Sequence, residues 1–227
     1  MKRKIQIIAI VIILSTIVIY KRHWFWSKYF DYRISMASSS ECAAIMEKLA
    51  ALDLMRIIEN PVLSKKTRGM AADALRIYKK TESTNYFVGG LNSLDEYVRW
   101  TSVNELRILA DKTSLSALLG YTKKEENPLF RAAGIGAIAK MEVWSNETFT
   151  IFEEALKDPF WEVRIAGISG FARAKTGPLK MRVEKIIDML KDKNRSVQDH
   201  ASDYLKYLTG KEWKKNCHIN YDMWHNW

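Results

Sequence analysis

Residues 158–171 read DPFWEVRIAGISGF, and this stretch decides the fold. Asp158 and Pro159 form a helix-start signal, and apolar or small residues then recur with the 3.6-residue period of a helix. Gly167 and Gly170 fall inside that helix, where a glycine costs about 1 kcal/mol relative to alanine. We interpret both as positions where a second helix approaches closely.

The same stretch recurs along the chain. An arginine near the start of each copy aligns at Arg68, Arg99, Arg131 and Arg164, and Gln198 takes this place in the fifth copy. The spacings are 31, 32, 33 and 34 residues, and a second helical pattern separates successive copies. Because a pair of helices cannot bury both its faces alone, the repeat predicts an all-α fold, an α-solenoid of about five stacked helical hairpins.

The intervening helices differ in strength. Residues 41–58 predict one long first helix. Segment 81–92 is the weakest, since Gly89 and Gly90 predict a short or irregular element there. Further first helices are predicted at 113–121, 145–157 and 180–191.

The fourth copy resembles the second helix of HEAT repeats, in the short bacterial form also found among relatives of phycobilin lyases. That pattern is an acid, a proline, a gap, Val-Arg and then alanines, and here Asp158, Pro159, Val163, Arg164 and Ala166 match it. The resemblance covers residues 41–210. It implies an α-solenoid whose second helices line the concave side, and in which the repeated arginine ties neighbouring turns together.

Residues 5–20 contain no charged side chain and predict a transmembrane helix. Sixteen helical residues span about 24 Å, and basic and aromatic flanks up to residue 26 would extend the contact with the bilayer. A cleaved signal peptide and a soluble helix remain alternatives. We therefore expect a single-pass anchor (1–28), a linker (29–40), the solenoid (41–210) on the non-cytoplasmic side, and an aromatic tail (211–227).

The net charge of +10 first suggests a nucleic acid partner. However, six basic side chains and no acid lie in residues 1–28, and the rest of the chain carries 30 basic and 26 acidic side chains, a net charge of +4. Nucleic acid binding is therefore not expected.

The sequence contains no arrangement that predicts catalysis, a cofactor or a metal site. Cysteine and histidine at 217, 218 and 225 do not have the spacing of a structural zinc site. His200 occupies an apolar position of the fifth copy, which predicts a core or half-buried histidine. We expect Cys42 and Cys217 to be unpaired thiols.

Residues that depart from the repeat are the candidates for partner binding. Glu105 stands where other copies have alanine or glycine, and it is interpreted either as locally paired or as part of a notch for a partner. Trp100 and Arg107 lie near it on the same helix, and both residue types are favoured at interfaces. The tail contains Trp213, Trp224 and Trp227, as an end cap of the solenoid or as a docking patch.

These patterns favour a membrane-tethered, non-catalytic scaffold that binds another protein, itself associated with a membrane or envelope. The short repeat form leaves one alternative, a lyase-like accessory factor that matures an enzyme complex. Nucleic acid binding is a distant third hypothesis.

Overall fold

The computed structural model describes residues 27–32, 34, 36 and 38–210. Within this part the chain forms eleven α-helices and no strand, with helical backbone also at 27–32 and two 3₁₀ turns at Lys112–Ser114 and Met189–Lys191. The helices are α1 (Ser39–Glu47), α2 (Ala51–Glu59), α3 (Lys65–Tyr78), α4 (Lys80–Gly90), α5 (Glu96–Leu109), α6 (Leu115–Lys124), α7 (Pro128–Lys140), α8 (Asn146–Leu156), α9 (Trp161–Arg173), α10 (Leu179–Asp188) and α11 (Arg195–Thr209). The predicted all-α class is confirmed for the described residues.

The chain divides into two compact units, with the boundary after Ser83. In the first unit, α3 packs against α1 and α2. Asp31 accepts hydrogen bonds from the Ser64 hydroxyl at 2.7 Å and the Thr67 hydroxyl at 2.5 Å. Residues of the predicted linker therefore contact the start of α3.

The second unit consists of stacked helical hairpins. The hairpin pairs are α6 with α7, α8 with α9, and α10 with α11. The second helix of each pair packs on its neighbours, so that α5 contacts α7, α7 contacts α9, and α9 contacts α11. The second helices form one layer and the first helices another, an arrangement compatible with a solenoid-like fold.

The core of the second unit lies between these two layers. Phe152 of α8 and Phe171 of α9 are both fully buried, with ring centroids 5.9 Å apart in an edge-to-face arrangement. Burying a phenylalanine of this kind contributes roughly 1.5–3 kcal/mol. Leu106, Leu118 and Ile138 extend the same buried surface toward the start of the unit.

Two helix predictions are wrong. The predicted helix over 41–58 is broken, because Ala50 adopts an extended conformation with ψ of 155° and separates α1 from α2. Segment 81–92, predicted to be irregular, contains most of a regular helix, α4. The glycines there lie at the C-terminal end, where Gly90 sits against Ser102, so they do not interrupt the helix.

The predicted membrane anchor must also be corrected, in the fold class and in the localisation. None of the helices in the described part of the chain is both long and apolar enough to span a bilayer. The longest, α11, has 15 residues and therefore spans about 22 Å, short of a hydrocarbon core of about 30 Å. The predicted span over 5–20 lies outside the described residues.

Candidate binding surface

A ladder of arginines holds the turns of the second unit together. Arg131 is representative: its Nη1 donates to the carbonyls of Glu125 and Glu126 at 2.8 and 3.1 Å, which closes the turn before its own helix. Its Nε and Nη2 donate to Asp158 at 3.0 and 2.9 Å, in the turn before the next helix. Each such arginine therefore connects two successive turns.

Arg99 and Arg164 make the same two kinds of contact one repeat earlier and one repeat later. Arg99 bonds to the Ser93 carbonyl and to Glu125, and Arg164 to the Asp158 carbonyl and to Asp192. The ladder ends at Gln198, whose Nε2 donates to the Asp192 carbonyl at 2.7 Å. Gln198 therefore makes the same turn bond within its own copy that the arginines make in theirs.

The ion pairs of the ladder become more buried along the chain. The Arg164 and Asp192 side chains are only 6% and 8% exposed, whereas those of Arg131 and Asp158 are 18% and 13% exposed. Burial alone would raise the pKa of Asp192, but hydrogen bonds from Arg164 and the Asn194 amide hold that pKa below its ordinary value. With their donors engaged in the turns, we assign these arginines a packing role.

Arg68, in the first unit, makes a different contact. Its Nε donates to the Ile58 carbonyl at 2.6 Å, and its side chain is buried. It binds the last turn of α2, which leaves carbonyl groups without intrahelical donors. Arg68 therefore also serves packing rather than a surface.

Gly167 and Gly170 lie where α9 touches α8. A Cβ at Gly170 would be 2.3 Å from the Phe152 ring, and one at Gly167 would be 2.9 Å from the Ala155 Cβ. Real Cβ atoms do not approach other atoms so closely. The two helices can thus meet at this distance only because these positions carry no side chain.

An exposed stripe runs along α5 on the side away from the core. Trp100, Asn104 and Arg107 follow one another at helical spacing: Asn104 Nδ2 donates to the Trp100 carbonyl at 2.8 Å, and Arg107 Nη2 donates to Asn104 Oδ1 at 3.0 Å. The Trp100 ring is 39% exposed and lies 4.9 Å, centroid to centroid, from Phe130 of α7. Two predicted partner-binding residues, Trp100 and Arg107, therefore share one surface.

We infer that the stripe borders a shallow groove on α7, because the corresponding positions of that helix carry small residues. Ala132 and Gly136 occupy the positions on α7 that correspond to Trp100 and Asn104, and neither has a side chain beyond Cβ. Arg107 leans over this floor, since its Cδ lies 3.9 Å from the place where a Cβ of Gly136 would be. We call the surface formed by Trp100, Asn104 and Arg107 with this floor the α7 groove.

The far wall of the α7 groove belongs to α9. The corresponding residues there are Ile165, Ser169 and Arg173, all half-buried, and the Arg173 Nε lies 3.3 Å from the Ser169 hydroxyl that accepts its hydrogen bond. Tyr204 of α11 also donates to that hydroxyl, at 3.1 Å. Polar side chains thus fix the spacing of α9 and α11 beside the groove.

A cleft of about 360 Å³ lies beyond this wall, lined by side chains of α9 and α11. Arg173 forms one side, and His200, Asp203, Tyr204 and Tyr207 form the other. His200 is exposed and its Nδ1 lies 2.8 Å from the Ser196 carbonyl, so the prediction of a core or half-buried histidine is wrong. Aromatic and arginine side chains in a cleft of this kind are typical of protein interfaces.

The remaining predicted residues do not join this surface. Glu105 is only 7% exposed, so little of its side chain is accessible at the surface of the second unit. Trp213, Trp224, Trp227 and Cys217 lie outside the described residues. Cys42 is buried in the first unit, with its Sγ 3.4 Å from the Ile34 carbonyl.

Sequence reasoning missed Asn104, Gly136, Ser169 and Arg173. A signal for three of them was present, because Asn104, Gly136 and Ser169 occupy the same position in successive copies. Within the described part of the chain, no three His, Cys, Asp or Glu side chains are grouped so that they could hold a metal ion.

Comparison with known proteins does not extend these observations. No protein-family model matches the chain, and no curated protein matches it.

Proposed function

We propose that this protein is a non-catalytic scaffold that binds a partner protein through the outer face of its second helices, with the α7 groove at the centre. The repeat resembles short HEAT repeats, and we propose that it belongs to that type. Such stacked repeats offer long continuous surfaces to extended partners.

The proposal is supported by the contrast between repeated positions that are engaged in packing and repeated positions that stay exposed. Arg99, Arg131 and Arg164 are engaged in the turns, and Gly167 and Gly170 are covered by α8. Trp100, by contrast, stays 39% exposed beside a floor of small residues. A large aromatic side chain next to a depression is the arrangement of an interface anchor.

The test is to block the groove without disturbing the fold. Gly136→Gln places a side chain in the groove, and its Cβ would meet only the Arg107 stem at an ordinary distance of 3.9 Å. Gly120→Gln is the matched control, because Gly120 lies inside α6 and a Cβ there meets nothing within 4 Å. Both variants should retain the helical circular dichroism and the unfolding midpoint of the wild type, or exceed it.

The readout is affinity purification of the full-length chain from its native source, with quantitative mass spectrometry. We expect a protein that the wild type and Gly120→Gln both recover and that Gly136→Gln loses. Equal recovery of every protein by all three chains would refute the proposal.

A further inference from the structure

Basic side chains line the end of the α7 groove at regular intervals. Arg107, Lys140 and Arg173 lie in the last turns of α5, α7 and α9, and 33 residues separate each from the next. A cation in the last turn of a helix favours the helix dipole. The helix dipole alone explains a basic residue at each helix end. Whether the three cations can also bind a ligand depends on the groups that surround them.

The environment leaves these three charges available. In the part of the chain that the structure describes, none of them lies within ion-pair distance of a carboxylate, and Arg107 and Arg173 bond instead to the neutral side chains of Asn104 and Ser169. The ladder arginines Arg99, Arg131 and Arg164, which lie near the helix starts, differ from these three cations because each has a carboxylate partner.

Two nearby acidic groups are already engaged with other partners, whereas Asp203 lines the cleft between α9 and α11 together with Arg173. Glu142, in the turn after α7, forms an ion pair with Lys175 at 2.8 Å. The hydrogen bond from Lys175 lowers the pKa of Glu142, and the charges of Lys175, Arg173 and Lys140 lower it further. Asp111, after α5, accepts hydrogen bonds from the Thr113 amide and the Thr84 hydroxyl.

The three cations extend in a row across three neighbouring second helices, from α5 to α9. The last turn of α11 carries a further lysine, Lys206, 33 residues after Arg173, and the exposed face of α11 also carries Asp199 and Asp203. Neighbouring helices pack 8–10 Å apart, so the distance from α5 to α9 is roughly 20 Å. An extended chain advances about 3.3 Å per residue, and about six residues therefore cover the row.

We propose that the α7 groove binds an extended acidic segment of the partner protein, about six residues long, whose carboxylates contact Arg107, Lys140 and Arg173. This inference rests on the proposed function and identifies the chemistry of the partner at the same site. Small residues on the groove floor let a backbone lie close to α7, and the three cations face the carboxylates. Asn104 and Ser169 hold the side chains of Arg107 and Arg173 by hydrogen bonds, which positions the two guanidinium groups beside the groove.

The test uses the full-length chain and a fluorescein-labelled peptide of eight glutamates, with fluorescence anisotropy at low and at physiological salt. The test variant is Arg107→Glu/Lys140→Glu/Arg173→Glu. Its control is Lys112→Glu/Lys157→Glu/Lys180→Glu, which changes the net charge equally at exposed sites associated with the first helices.

We expect the wild type and the control to bind the peptide with similar dissociation constants and the test variant to bind at least about tenfold more weakly. Equal weakening by both variants would show a response to net charge only and would overturn the inference. So would tight binding of a DNA duplex by the same row without binding of the peptide.

This result is separate from the groove-blocking test. If the peptide does not bind but Gly136→Gln still loses a protein that Gly120→Gln retains, the acidic partner is wrong and the proposed function stands. If Gly136→Gln loses nothing, the proposed function fails first.

Discussion

The close contact between α8 and α9 gives the sharpest prediction about stability. In Gly170→Ala, the new Cβ would be 2.3, 2.5 and 2.5 Å from three atoms of the Phe152 ring. That ring is fully buried and packs edge-to-face on Phe171, so it has no open space into which it can rotate. The two helices must move apart to accommodate the methyl group.

Two effects of opposite sign set the magnitude. Overpacking a core of this kind costs roughly 1–3 kcal/mol, and the severity of this overlap places Gly170→Ala in the upper half of that range. Alanine recovers about 1 kcal/mol of helix propensity. The net expectation is a loss of about 1–2 kcal/mol, or roughly 2–8 °C in the midpoint of thermal unfolding for a unit of this size.

The assay is unfolding of the full-length chain in urea and by heat, followed by circular dichroism at 222 nm. Gly120→Ala is the control, because it makes the same substitution inside α6 where a Cβ meets nothing within 4 Å. It should raise the free energy of unfolding by up to about 1 kcal/mol. If Gly170→Ala is as stable as Gly120→Ala, the close packing of α8 on α9 is refuted.

The arginine ladder gives three further predictions, all measured by urea unfolding. Arg164→Gln should keep the turn bond that Gln198 shows is possible, but it leaves the nearly buried Asp192 without its guanidinium, so we expect a loss of about 3 kcal/mol. Adding Asp192→Asn should restore much of that loss, and no recovery would contradict the assigned ion pair. Arg131→Gln should cost less than Arg164→Gln, because Arg131 and Asp158 are more exposed. Finally, the pKa of Asp192 is lower in the folded state than in the unfolded state, so its ionised carboxylate should stabilise the fold fully above the unfolded-state pKa of about 4. This stabilisation should disappear as the pH falls through the folded-state pKa. The free energy of unfolding of Asp192→Asn should therefore fall less on acidification, and an unchanged acid profile would argue against the assigned ion pair.

The repeat was predictable from sequence because residues at fixed offsets within each copy have fixed roles in helix packing and in the turns. Val163 and Arg164 recur with Ala166 and Gly167 at fixed offsets, and these positions fall in the helix contacts and the turns of the second unit. The α7 groove was only partly predictable. Trp100 and Arg107 were recognised because their residue types are common at interfaces. The role of Gly136 depends on the side chains around it, which the sequence does not reveal.

The failures have physical causes. The two glycines predicted a short or irregular element in segment 81–92, but Gly90 is at the helix end and fits against Ser102. The break between α1 and α2 falls at Lys48 to Ala50, which contain neither glycine nor proline, so the local sequence gives no sign of it. The position of His200 holds the buried residues Thr101, Ala133 and Ala166 in the second, third and fourth copies, yet α11 has no following hairpin to cover it within the described chain.

Occupation of the α7 groove by a partner protein can be tested directly by photo-cross-linking in the native cell. A photoreactive phenylalanine derivative replaces Asn104 at the groove wall, or Lys157 at the end of α8 as the control position. We expect a discrete cross-linked protein from position 104 that is absent from position 157 and is lost when Gly136→Gln is added. The same cross-linked protein from both positions, or one that Gly136→Gln leaves unchanged, would contradict it.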